Sequence, residues 1–203
     1  MTTRIEICNR ALTRIGDQPL QSETATRADV VLQLYAGVVA TLTALTPWSF
    51  SRKVASLARE DATPPEPRKY QYKLPGDRTG PPFAVYDSVS ALADDRPFLA
   101  WELSGDVLLT DAETILVRYQ VTPAIDVWSP LFQDSVIVLL AAECKGALHS
   151  DLEARKELRA EVLGDPKLPG AVGMVARAIQ ADAAAQPSPV MSIDGGPLLQ
   201  ARF

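Results

Sequence analysis

The chain has 203 residues, 20 Lys+Arg against 25 Asp+Glu, a single His and a formal net charge of -5. Apolar residues make up 47 %, enough for a core, which excludes disorder throughout and suits one domain, or one domain plus a tail. The acidic balance, with no basic patch in any third of the sequence, excludes a protein that coats nucleic acid by neutralising phosphates.

Ile5, Cys8, Leu12 and Ile15 recur at three- and four-residue steps, the face of an amphipathic helix. The Gly16-Asp17-Gln18-Pro19 sequence ends it, because Gly supplies a left-handed stop and Pro forbids continuation. Ser22 or Thr24 is the expected cap of a second helix, whose apolar positions Val31, Leu34, Val38, Leu42 and Leu45 run up to Pro47. With Trp48, Phe50, Val54 and Leu57 following, residues 1–59 read as an N-terminal helical hairpin.

Residues 60–125 change character. Prolines cluster, and short β-leaning runs at Tyr70–Leu74, Phe83–Val85, Phe98–Leu103, Val107–Leu109 and Thr114–Gln120 lie between turn signals. Ser104-Gly105-Asp106 reads as a tight hairpin turn. The expectation is a small antiparallel sheet inserted between helices.

Residues 126–186 return to helix. Ser129-Pro130 is a good start, with a capping oxygen and a residue preset for the first turn. The run through Val136–Ala142 is apolar on nearly every face and marks a central helix surrounded by partners. Asp151 caps a charged continuation stopped by Gly164-Asp165-Pro166, and a last helix is expected over 170–185 with Val172, Val175, Ala176 and Ile179 inward. The class is therefore α+β, mainly α: a helical bundle with a small antiparallel β insertion and an extended C-terminal arm, residues 187–203. That arm has no period, yet it carries Val190, Met191, Ile193, Leu198, Leu199 and Phe203. It is either a segment that orders on a partner or a strap packed back on its own domain. The longest apolar run falls far short of the roughly 18 residues a membrane span needs, and the start lacks signal-peptide architecture, so a soluble protein made in the cytoplasm is expected.

Chemistry is sparse. Nucleophilic catalysis needs a base beside the nucleophile, and only His149 could serve; its place at a helix C-terminus reads as structural. Cys8 and Cys144 sit in apolar helical patterns and read as buried hydrophobes, with a lone disulfide as the alternative. No Cys/His cluster has zinc spacing. Asp87, Asp94, Asp95, Glu102, Asp106, Asp111 and Glu113 crowd the β zone. They could solvate turns, supply a carboxylate pair for glycoside cleavage, or form an acidic rim that repels DNA from the wall of a ring.

The order of four strings carries more than any one of them. Asn9-Arg10-Ala11-Leu12 with Ile15-Gly16 opens the series, and Pro47-Trp48 with Phe50, Leu57 and Ala58 follows. Tyr70, Tyr72, Leu74, Pro75 and Asp77 come next, then Pro130-Leu131-Phe132 with Leu140-Ala141. Over roughly residues 5–150 this resembles the tail tubular protein A family, the head–tail connector (adaptor) proteins of short-tailed bacteriophages and related particles. After Asp77 the family commonly continues with apolar strand residues, whereas this chain has Arg78-Thr79-Gly80-Pro81-Pro82.

The resemblance implies a virion structural protein at the head–tail junction, without cofactor, metal or turnover. It would form a ring, of twelve copies in the family, on the portal protein ring, with its β zone facing the tail nozzle or hub. DNA would pass through without specific binding, and no membrane is involved. The arm would reach the portal through Met191, Ile193, Leu198, Leu199, Arg202 and Phe203, Arg202 being the polar anchor because its planar fork pairs carboxylates. Two other readings stand beside this one. They are an adaptor or head-completion protein of a long-tailed phage or gene-transfer agent, and a tail-associated peptidoglycan hydrolase.

Overall fold

The computed structural model describes residues 2–24, 27–62, 64, 67–165 and 172–185. Helix α1, Arg4–Arg14, opens with a reciprocal cap: Glu6 N donates to Thr3 Oγ1, and Thr3 N donates to the Glu6 carboxylate at 2.7 Å. It buries Ile7, Cys8, Ala11 and Leu12, and Gly16 beyond it has φ +73°, the left-handed stop expected from the sequence. Helix α2 spans Ala28–Ala44, and here the capping expectation fails. Its N-cap is Arg27, without a side-chain cap, while Ser22 and Thr24 hydrogen-bond each other at 3.0 Å.

Strand β1, Arg52–Ser56, lies inside the stretch read as helical hairpin. Val54 and Leu57, three apart, imitate a helical step, but the stretch finds an unpaired strand to join and its backbone groups are satisfied there. Strands β2 (Tyr70–Lys73) and β3 (Ala84–Tyr86) follow, then the short helix α3 (Val89–Ala93), capped by Ser88 and not anticipated. Strands β4 (Trp101–Ser104), β5 (Val107–Thr110) and β6 (Leu116–Gln120) complete the β zone. The β4–β5 turn has Gly105 at φ +60° in its first central position, as a type II′ hairpin requires.

The strands form two three-stranded antiparallel sheets, β1-β6-β3 and β2-β5-β4, where one sheet was expected. Strand β6 is central because its Val117 pairs with both Ala55 and Val85, a non-local register no short-range signal encodes. The sheets share one core: Val85, Val117 and Tyr119 from the first, Tyr72 and Leu108 from the second, with Leu74 and Ile115. Tyr72 and Leu74, and Val117 and Tyr119, keep the two-residue step of a strand face, whereas β5 buries Leu108, Leu109 and Thr110 in succession.

Helix α4, Pro130–His149, starts on Ser129, whose Oγ accepts from Phe132 N at 3.3 Å, and buries ten residues from Phe132 to Cys144. Helix α5, Leu152–Leu163, is capped by Asp151 as expected. Helix α6 is Met174–Ala184, shorter than the expected span, so Val172 precedes it and is exposed rather than inward. Helices α1, α2, α5 and α6 all pack on α4, which explains why α4 is apolar all round. The architecture is mixed helix and antiparallel sheet, the α+β class. Gln120 joins its two parts: its Nε2 donates to Thr46 O at 2.7 Å and reaches Thr43 O and Ser51 Oγ, each at 3.1 Å.

Candidate functional site

The strings singled out in the sequence fall at the joints of the fold. Asn9 grips the backbone of Leu20 twice, accepting from its N–H at 2.7 Å and donating to its carbonyl at 3.0 Å, which pins the segment beyond α1. Trp48 is fully buried and donates Nε1–H to Leu42 O at 2.9 Å. Its ring meets Phe132 edge-on at 5.0 Å, while Phe50 and Trp128 pack on the same Phe132 at 5.1 and 5.2 Å. This aromatic knot locks the end of α2 to the start of α4, combining area burial with favourable edge-to-face geometry. In the β zone, Tyr72 donates its hydroxyl to Ala112 O at 2.7 Å, and Asp77 pairs with Lys53 at 2.8 Å. None of these groups surrounds a reacting centre; each holds two elements together.

The seven carboxylates of the β zone do not converge on a site. Arg118 pairs Asp95, Arg96 pairs Asp94, and Arg78 pairs Asp106 at 2.6 Å. Arg68 spans Glu102 at 2.7 Å and Asp111 at 3.4 Å. Asp87 accepts from Ser88 Oγ, and Glu113 from Tyr70 at 3.4 Å. A glycosidase acid needs a carboxyl raised toward neutrality. Asp95 moves the other way, held below the usual range by the Tyr86 hydroxyl, against the cost of burial and with help from Arg118. Burial and that same Asp95 push Tyr86 up to about 12. Four guanidiniums thus neutralise most of the acidic crowd in place.

His149 stands at the C-terminal end of α4, close to the α1–α2 turn. Its Nε2 lies 3.1 Å from Asp17 Oδ2, which also accepts from Arg27 at 2.7 Å, so one carboxylate ties the α1–α2 turn to the foot of α4. Burial alone would raise Asp17, yet Arg27, the Gln18 N–H and His149 outweigh it and hold the group below its ordinary value. Both cysteines are free and buried; desolvation pushes Cys8 up to about 11 and Cys144 up to about 12. Neither is a nucleophile at neutral pH. Among the described residues no group of three or more His, Cys, Asp or Glu side chains could hold a metal ion, and no helix is long and apolar enough to cross a membrane.

The six arm residues, Met191, Ile193, Leu198, Leu199, Arg202 and Phe203, lie outside the described residues. Asp182, near the end of α6, accepts from Ser49 N at 3.0 Å and from the Ser49 hydroxyl, which sets the last turn of α6 beside the C-terminal end of α2.

Among the described residues, two surfaces bear on the features read in the sequence. One is an open groove of about 390 Å³ between the Arg78–Pro81 loop and the β4–β5 turn, lined by Leu74, Thr79, Leu103 and Gly105. It is built in part from Arg78-Thr79-Gly80-Pro81. The other is the outward face of α2. From Val30 to Ser51 the sequence has no charged residue, and the exposed positions Gln33, Ala36, Gly37, Ala40, Thr41 and Ala44 form one face between Val30 and Leu45. Other helices show water the usual charges: α1 pairs Arg10 with Asp134, and α5 pairs Lys156 with Glu153. The signal for this face, a helix with no charge after Asp29, is present in the sequence but hidden beneath the apolar period that marks the core. No protein-family model matches the chain, and no curated protein matches it.

Proposed function

We propose that the chain is a head–tail connector of a bacteriophage particle, an adaptor that assembles as a ring on the portal and links it to the tail nozzle or hub. The observation that carries this reading is the order of the four strings, each of which occupies a joint: Asn9, Trp48, Tyr72 with Asp77, and Phe132. In this reading the helices form a bundle around α4, and the β zone with its loop groove meets the tail component. The arm, residues 187–203, reaches the portal. An extended arm gains main-chain and pocket contacts over a long surface at the cost of ordering entropy, and a ring multiplies a modest affinity per arm.

The rest of the molecule supports a structural role. Most carboxylates of the β zone are paired with guanidiniums, while the net charge of -5 disperses the free protomer and repels DNA passing through the ring. The test is mixing the purified chain with the portal ring encoded in the same genome, comparing full length with a chain stopped after Gln186. Mass measurement and negative-stain images should show an added ring only with the full chain. Leu198, Leu199 and Phe203 changed together to Ser should remove that ring. Absence of binding by the intact chain overturns the reading.

A further inference from the structure

We infer that α6 is a latch: it leaves its seat on α4 and α5 and loses its helix as one unit while α1, α2, α4 and α5 stay folded, so that the chain has a closed form and an open one. This goes beyond the connector reading and does not depend on it.

Thin attachment is the first observation. Of the 11 residues of α6, Val175 and Ala178 are buried, and Met174 and Ile179 lie partly covered against the helical core. Helix α4 buries ten residues, from Phe132 to Cys144, and even the uncapped α2 buries six. Helix α5 fully buries only Val162, but it is capped by Asp151 and tied down by charge. Its Arg155 and Arg159 both hold Glu143 of α4, and its Glu161 holds Arg14 of α1. Helix α6 has no such opening: it starts on Gly173, without a side-chain cap. Its length also falls short of the roughly 12–15 residues at which a helix begins to hold alone in water, so α6 melts once it is lifted.

The two ends of the seat are the second observation. At the first, the backbone of Gly173 presses on the backbone that ends α5. A Cβ there would come within 2.6 Å of Leu163 C and closer still to Val162 O and Gly164 N, well inside the roughly 3.5 Å of an ordinary contact. All three are main-chain atoms of a helix end, so the notch admits a glycine and nothing larger unless α6 shifts. At the other end, Asp182 accepts from Ser49 N at 3.0 Å and from the Ser49 hydroxyl. Ser49 directly follows Trp48, which is fully buried in the aromatic knot, so this hook closes on one of the firmest points of the fold. A helix with little burial along its length, fitted into a notch at one end and hooked at the other, is built to come away whole. Opening bares Val175 and Ala178 together with the strip of α4 and α5 on which they pack.

The test is hydrogen exchange of the full chain, read by mass spectrometry on its peptides at rising urea below the unfolding transition. Peptides of α6 should exchange on the order of a hundredfold faster than those of Val136–Ala142 in α4, with a smaller dependence on urea, because the opening exposes one helix and not the whole core. Gly173→Ala, which fills the notch, and Asp182→Ala, which removes the hook, should each quicken exchange in α6 about tenfold and leave Val136–Ala142 unchanged. Should Gly173→Ala fail to fold, Asp182→Ala carries the test by itself. Amides of α6 that exchange no faster than Val136–Ala142 or share its urea dependence overturn the inference. So do variants that quicken both segments alike, or neither. Portal binding need not be measured, so its outcome is separate.

Discussion

Asn9 closes two hydrogen bonds to the backbone of Leu20, a residue only 7 % exposed, so removing the amide strands a donor and an acceptor where water has poor access. Asn9→Ala should cost about 1–3 kcal/mol in urea unfolding, and Asn9→Asp should recover little because it restores only the acceptor. Asp17 acts over a longer range, since one carboxylate serves Arg27 and His149 and is itself only 12 % exposed. Its native pKa is depressed, so its contribution is fully present above the unfolded value of about 3.9 and is lost as pH falls through the lower native value. The stability gap between the natural chain and Asp17→Asn should accordingly close as pH falls below about 4. A gap that survives full acidification would mean that the charge of the carboxylate is not what stabilises the fold. Ser150 ends α4 in the left-handed region, φ 55°, a conformation that costs most side chains roughly 1 kcal/mol and Gly nothing. Ser150→Gly should raise the melting temperature, one of few substitutions here expected to stabilise.

Elements differed in how plainly the sequence announced them. Helices α1, α4 and α5 were legible because period, cap and stop all agreed: Thr3 apart, whose cap went unremarked, Ser129, Asp151 and Gly16 sit where their chemistry places them. Strand β1 was not, since it is exposed on most positions and its apolar residues fall three apart. It exists because β6 offers a free edge, information held sixty residues away. Helix α3 is a single turn resting on Ser88, too short for any period. The start of α2 was misread because Ser22 and Thr24 satisfy each other rather than the helix. The carboxylate crowd was visible by composition, but its pairing with Arg68, Arg78, Arg96 and Arg118 depends on strand register and could not be read from spacing. The candidate surface on α2 is the converse: the absence of charge was visible, while which half of the helix faced outward waited on the packing of α4.

At the scale of the molecule, one side-chain amide bridges two cores. Gln120 sits on the central strand of the first sheet and reaches the carbonyls that end α2. Gln120→Ala should lower stability by about 1–3 kcal/mol and, if the coupling is mainly this contact, split a single unfolding transition followed by Trp fluorescence and far-ultraviolet dichroism into two non-coincident ones. Coincident curves would show that the backbone bond from Val121 N to Ser51 O, 2.9 Å, carries the coupling. The two cysteines turn the helical core into its own clock. Cys8 on α1 and Cys144 on α4 are sealed from solvent and carry their protons, so an alkylating reagent meets a thiolate only during the moments when those helices part. The rate at which the chain takes up label is then a count of openings. Bound to a partner that clamps the helices, the same protein would keep slower time.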